Sequence, residues 1–273
     1  MNTREIAKEY ADETTLQVLR EPGKTAQSKS YMWLYRTSGD AEHPLVLYEY
    51  QPDRKAARPQ EFLKDFKGYL HADSYDGYHK LPDDITVVGC LAHLRRKFDE
   101  ALKIIPENVR DGSLAQVGKR YCDRLFELER DFADLSPEHR YEKRMESSKS
   151  LMEEFFAWAD SCGALPKNPV GKAVHYAQSQ RKYLERYLLD SRLEISNNRA
   201  ERSIKPFVIG RKNWLFANTP RGAKASAVIY SIIETAKENG LNPYDYLTCI
   251  FECAPNVDMQ NLRYMETLMP FYF

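Results

Sequence analysis

No segment of the 273-residue chain approaches the run of about 18–20 apolar residues that a membrane span needs. The opening MNTREIAKEY also lacks the apolar centre of a secretory signal, so the sequence reads as a cytoplasmic protein. Net charge is absent too: 40 Lys and Arg balance 40 Asp and Glu, and a polyanionic partner must be argued from where the charges sit. Cysteine is scarce and odd in number. Cys90, Cys122, Cys162, Cys249 and Cys253 are irregularly spaced in a chain large enough to fold without staples, which excludes a disulfide framework. Cys90 and His93 could be half of a zinc site, but no second pair follows at finger-like spacing, and small residues packed at a strand end explain the pair as well. Internal repeats and low-complexity linkers are missing.

What is present suffices for a core. With 42% hydrophobic residues the chain can form one elaborated domain or two modest ones. The charge is polarised along the sequence: from Arg181 to Lys237 there are 12 basic and 5 acidic residues, and the compensating acid lies elsewhere.

The first hundred residues read as strands. Thr14 to Leu19, Tyr31 to Arg36 and Leu45 to Tyr50 are short, β-branched or aromatic, and separated by Gly, Ser and Pro turn signals, which predicts a three-strand meander. Pro59 opens a helix, PQEFLKDF, that Gly68 closes. GYLHAD is a fourth strand, and the apolar run ITVVGCLA is a fifth, buried on both faces. From Leu94 to Asp190 the period becomes helical, with Ser136-Pro137-Glu138 as a capped helix start. SNNRAERSIK then reads as a short helix closed by Pro206, FVIGRKNWLF as extended or hairpin-like around Gly210, and Ala223 to Lys237 and the stretch after Asn242-Pro243 as helices.

This order is that expected of a ribonuclease-H-like α/β fold, a mixed sheet flanked by helices with an all-helical insertion. Acids fall where such a sheet would converge them: Asp12 at the first strand, Asp73 at the end of the fourth, and Glu201 on the helix that returns after the insertion. Phosphodiester displacement requires such a set, because two divalent cations about 3.5–4 Å apart prefer oxygen ligands from separate elements. Each acid also has a simpler explanation: Asp12, with Glu13, as a solvated acid at a strand start, Asp73 as a turn former in ADSYDGY, Glu201 as the partner of Asn198 in a capping box. Glu234 is an alternative third acid, with packing or hydrogen bonding as its own simpler role.

ADETTLQVL, YLHADSYDGY, VVGCLAHLRRKFDEA, SNNRAERSIKPFVIGRKNWLFANT and GAKASAVIYSIIETAKENGLNPYDYL resemble the successive blocks of the insertion-sequence-66 transposases, from about Ala11 to Leu247. The resemblance implies a DDE transposase catalytic region in which Asp12, Asp73 and Glu201 are the catalytic and metal-holding triad for two Mg²⁺ or Mn²⁺ ions. It divides the chain into a first core segment over 1–93, a helical insertion over 94–190, a second core segment over 191–240 and a helical extension over 241–273. DNA is the implied partner, with a homodimer suited to holding two ends. Arg95, Arg96, Lys97, Arg199, Arg202, Arg211 and Lys212 are candidate phosphate contacts, and Trp214 either stacks on an unpaired base or belongs to the core.

Full-length members of that family carry DNA-recognition and multimerisation segments ahead of the catalytic region. Here Met1 precedes Asp12 by eleven residues, so those roles are not expected of this chain, and the charged TREIAKEY suggests a clipped or replaced first strand. Two other readings stay open: a nuclease that cleaves without joining, and a non-catalytic product that binds DNA or modulates a full-length transposase.

Overall fold

A computed structural model of the chain describes residues 7–256, 258 and 261–272. The strands are β1 (Ala7–Gln17), β2 (Lys29–Thr37), β3 (Val46–Gln51), β4 (Gly68–His71) and β5 (Ile85–Val88). A short helix, α1 (Ala57–Phe62), separates β3 from β4. After β5 come α2 (Leu91–Lys103), α3 (Leu114–Asp131), α4 (Pro137–Lys143), α5 (Lys149–Ser161) and α6 (Pro169–Leu184). The chain ends with α7 (Asn198–Trp214), α8 (Pro220–Glu238), α9 (Pro243–Cys253) and α10 (Leu262–Thr267). Strands of mixed direction with helices between and after them make this an α/β protein. Among the described residues, no helix is long and apolar enough to cross a membrane.

Two compact units divide the contacts: one spans Phe66–Asn198, the other joins Ala7–Asp65 to the chain from Arg199 onward. In the second unit β1, β2 and β3 form an antiparallel trio, with Asp12 opposite Leu34 and Leu34 opposite Tyr48. Strand side chains alternate between faces. The even-numbered face carries Tyr10, Leu16, Met32, Leu34, Val46, Tyr48 and Tyr50, and it is buried against Ala200, Ile204 and Phe207 of α7 and Ala223 and Ala227 of α8. Ser231 and Thr235 of α8 accept the N–H groups of Tyr48 (2.7 Å) and Val46 (3.0 Å) on the side of β3 turned away from β2. Helix α8 thereby satisfies backbone groups that would otherwise invite another strand.

The odd-numbered face of the trio is aromatic and acidic. Trp33 and Tyr35 lie parallel, and Phe62 of α1 stacks on Tyr35 at 3.7 Å between ring centroids. Glu9, Glu13 and Glu49 share this face; Glu13 pairs with Arg54, and Glu49 accepts from Gln51 at 2.8 Å. Burial pushes the Glu9 carboxyl up to about 7.

In the other unit β4 and β5 pair in parallel, Gly68 opposite Ile85 and His71 opposite Val88. Its core joins Val88 to α2, α3, α5 and α6 through Leu94, Phe98, Leu125, Phe155, Phe156 and Ala177. Helix α4 widens into a π turn over Arg144–Ser148 before α5 begins, which turns Arg144 inward. That guanidinium is 1% exposed; it grips Glu129 at two points (2.9 and 2.5 Å) and donates to the carbonyls of Tyr187, Asp190 and Leu193.

Several expectations are corrected. The first strand is Ala7–Gln17 rather than Thr14–Leu19; Ala7–Tyr10 of the charged stretch belong to it because Tyr10 and Ala11 are buried, while Thr3–Ile6 lie outside the described residues. Helix α1 ends at Phe62, and Gly68 opens β4 instead of closing a helix. The fifth strand stops at Val88, and Leu91 already begins α2. The largest difference is α7, one helix from Asn198 to Trp214 that runs through Pro206 where a helix end and a hairpin were expected. Ala200, Ser203, Ile204 and Phe207 recur at helical spacing and are all buried, so tertiary burial outweighs the hydrogen bond that proline removes. Gly210 makes no turn there: a Cβ at that position would collide with the Tyr230 hydroxyl, so the glycine serves close approach of α7 and α8.

Arg144→Met is expected to lower unfolding free energy by about 3–5 kcal/mol, because it strands a half-buried carboxylate and three carbonyls. Adding Glu129→Leu should recover part of that loss; urea midpoints at unchanged slope measure both, and a neutral single variant would contradict the assignment. Glu9→Gln should stabilise at high pH. Between the unfolded value near 4.5 and the folded value of about 7, the folded state keeps a proton that the unfolded state has lost, so stability falls as pH rises through this window. The variant's advantage should vanish below pH 4.5 and level off above 7, at about 3 kcal/mol or less; equal melting at pH 5 and pH 8 relative to the parent would refute it.

Candidate functional site

Asp12 lies in the middle of β1, on the face that α7 covers, between the buried Tyr10 and Thr14. Its Oδ1 accepts the N–H of Glu13 at 2.8 Å, which fixes the carboxylate against its own strand. Glu201 occupies the first turn of α7, where the helix dipole favours a negative charge. Asp12 and Glu201 therefore belong to one compact unit, the strand and the helix being joined by a common core. Asp73 belongs to the other unit, two residues past the end of β4, and its Oδ1 accepts the N–H of Tyr75 at 2.8 Å. The turn-forming role foreseen for Asp73 is thus real, and it orients the carboxylate.

The alternative third acid, Glu234, pairs with Lys237 one turn later at 2.7 Å. Cys90 is buried, and its sulfur accepts the N–H of Asn197 at 3.2 Å, which ties the start of α2 to the segment before α7.

The basic residues differ in how far the fold already engages them. Arg95 pairs with Asp123 at 2.5 Å, and Lys119 meets the same carboxylate at 2.7 Å. Burial alone would raise the Asp123 carboxyl, but these two cations outweigh it and hold it below the usual range. Arg95 and Arg96 line a cavity of about 490 Å³ with Glu127, Arg130 and Asn198. Lys97 sits 4.7 Å from the centre of the Tyr176 ring. Arg199 packs against Gly39 so closely that a Cβ there has no room, and together with Arg202 it lowers the Glu238 carboxyl, after the larger effect of Arg36.

Arg211 is held beside an acid-bearing strand. Its Nη1 donates to the hydroxyls of Thr14 (3.0 Å) and Thr15 (3.1 Å), two and three residues along β1 from Asp12. Burial pulls its pKa down. It is on the last turn of α7, as is Lys212, rather than in a hairpin. Trp214 packs edge-on against Phe207 at 5.3 Å and joins the rim of the core.

Sequence reasoning missed Arg36 and the tip at Leu215 and Phe216. A charged residue at the end of an otherwise apolar strand was the available signal for Arg36. For the tip there was none, since a leucine does not announce a turn.

Residues 4–225 match the family described as Transposase IS66 family, and residues 231–271 match the IS66 C-terminal element. An uncharacterized protein of Sinorhizobium fredii (strain NBRC 101917 / NGR234), y4qI, is 33% identical over 255 residues, covering 88% of this chain and 46% of its own. A second from the same strain, y4hP, is 32% identical over 256 residues, with 87% and 46% covered. The chain thus spans about half the length of these relatives. No solved structure matches it. With two successive family matches accounting for nearly all of its residues, the chain belongs to the IS66 transposase family.

Proposed function

We propose that this chain is a catalytic part of a DDE transposase with a ribonuclease-H-like core, in which Asp12, Asp73 and Glu201 hold divalent cations and DNA is cleaved and rejoined. The observation that carries the reading is the placement of Asp12 in the middle of a strand, on the sheet face covered by the very helix whose first turn bears Glu201. The donor set fits the ions: it consists of carboxylate oxygens, the ligands that Mg²⁺ and Mn²⁺ prefer, and two of the three acids are oriented by a backbone N–H. Two such ions, when bound, activate the attacking oxygen and steady the leaving oxygen of an in-line displacement.

The chain's own residues do the rest. The three acids come from separate elements and carry the negative charge that draws cations to the scissile phosphate. Arg211, anchored on Thr14 and Thr15, offers a fixed positive charge beside β1. Arg199, Arg202, Lys212 and the α2 cations Arg95, Arg96 and Lys97 contact DNA phosphates, which position a duplex without reading its sequence. Water attacks a phosphodiester and its 3′-oxygen leaves as a free 3′-hydroxyl; that hydroxyl then attacks a phosphodiester of a second strand, a new P–O bond forming as the second strand's own 3′-oxygen takes up the proton and leaves, with no covalent protein intermediate. The helical stretch over 94–190 is an insertion into the core, the protein acts in the cytoplasm, and a homodimer holds two DNA ends.

Asp12→Asn, Asp73→Asn and Glu201→Gln are each expected to reduce Mg²⁺- or Mn²⁺-dependent plasmid nicking by about a hundredfold or more. The cation should raise the melting temperature of the parent and leave that of Asp73→Asn unchanged. Full metal-dependent nicking by all three variants would sink the assignment. Nicking without transfer of precut ends would leave a nuclease.

A further inference from the structure

Helix α7 ends on a residue that does not suit its conformation. Helices commonly finish on a left-handed glycine; here the position is Leu215, with φ of 63°, and among the described residues it is the non-glycine with positive φ. The Leu215 N–H donates to the Arg211 carbonyl, and the Phe216 N–H donates back to the Trp214 carbonyl, both at 2.8 Å. A bond from residue i+2 to i across a positive φ is the strained form of the γ-turn. Such strain persists only where the surroundings impose it.

They do so immediately afterwards. The Ala217 N–H donates to the Gln17 carbonyl (2.9 Å), while Leu19 and Arg20 donate to the carbonyls of Ala217 and Asn218 (both 3.0 Å). Thr219 then caps α8 by accepting the N–H of Gly222. Residues 215 and 216 are therefore a two-residue tip, clamped between the last turn of α7 and the end of β1. Trp214 turns inward to Phe207, whereas Leu215 and Phe216 stand out at 61% and 42% exposure.

The chain on either side of this apolar tip is rich in cations. From Lys205 to Lys224 the chain has five Lys or Arg residues and neither Asp nor Glu. Arg221 and Lys224 also occupy the first turns of α8, the positive end of its dipole, where a cation is unfavourable unless an anion is present.

An exposed apolar pair on a stretch of chain with five cations and no acid of its own matches one class of partner, a polyanion with an apolar interior. We propose that Leu215 and Phe216 form a rigid wedge that enters the base stack of DNA whose phosphates lie on Lys212, Arg221 and Lys224. Proteins that unstack base steps use such apolar side chains, with cations holding the flanking phosphates. The inference rests on the DNA reading above and adds to it a role in unstacking. It also takes that role from Trp214, which is committed to the core rim.

The test uses two short duplexes, one fully paired and one with a mismatch next to 2-aminopurine, whose fluorescence rises when it unstacks. The parent should bind both and raise the fluorescence of the second, where unstacking is easier. Leu215→Ser with Phe216→Ser should keep salt-dependent binding to the paired duplex, lose the fluorescence rise, and bind the mismatched one about tenfold more weakly. Lys212→Ala with Arg221→Ala should weaken binding to both and flatten its salt dependence. Leu215→Gly, which accepts the positive φ, should melt no lower than the parent and still reduce the fluorescence rise, which separates wedge from misfolding. Binding by the parent without a fluorescence change, or a change that survives the double Ser variant, would overturn the wedge. So would a parent dimer that the double Ser variant converts to monomer with fluorescence unaltered, since the tip would then be a contact between copies. If the parent binds neither duplex, it is the DNA reading that fails.

Discussion

One buried cation fixes how the Glu-bearing helix lies on the Asp-bearing sheet. Arg36, 3% exposed in the middle of the trio, donates from Nη1 to the Ser203 hydroxyl at 2.6 Å and to Glu238 at 3.0 Å, and from Nη2 to Glu238 at 2.8 Å. Its bond to Glu238 draws that carboxyl below its ordinary range. A guanidinium sequestered this way tolerates no vacancy, because a partner lost leaves a buried charge at about 3–5 kcal/mol. A slide of α7 by one turn would remove Ser203, and a loss of α8 would remove Glu238. The fork thus fixes both helices to β2 at once, two residues from Leu34, the neighbour of Asp12 across the sheet. Tyr48 reinforces the same point, its hydroxyl donating to the Ser203 carbonyl.

The other unit reaches the same end with Arg144. Both arginines are buried and both grip a carboxylate with two nitrogens; Arg144 in addition holds a chain segment whose own hydrogen bonding is incomplete. Around Arg144 these are the carbonyls of Tyr187, Asp190 and Leu193, a stretch too irregular to satisfy itself. Planar five-donor geometry suits this task in a way that lysine cannot match. In each unit, then, packing supplies most of the stability while an arginine sets registration, of two helices on a strand around Arg36 and of an irregular stretch around Arg144.

How much of this was legible depended on whether the signal was local. The second and third strands and the capped start at Ser136 follow from patterns of a few residues, and the structure has them within one or two positions. The first strand was misread because its early residues are charged; Lys8 is nevertheless buried, its ammonium paired with Asp40 across 32 residues of chain. Likewise Pro206 and Gly210 carry strong local signals for a break and a turn. They lose to a long-range effect, the burial of Ala200, Ser203, Ile204 and Phe207 under the sheet. The candidate acids were chosen as residue types at plausible strand and helix positions, but the anchoring of Arg211 on two threonines far away in sequence left no local trace.

The same reasoning bears on which end of α7 matters. Were Pro206 a true terminus, Arg211, Lys212 and Trp214 would sit on a separate, mobile hairpin, and their distance from Asp12 would be free to vary. Because the helix is continuous, Glu201 in its first turn and Arg211 in its last share one rigid rod of 17 residues, laid along the face that carries Asp12. The strain at Leu215 follows from that rigidity: the rod must stop abruptly so that Ala217 can meet Gln17 and Val18 at the end of β1. A glycine at that position would relieve the turn but would leave no side chain at the tip. That a branched, exposed leucine stands there instead means that the side chain, and not the turn alone, is what the position supplies.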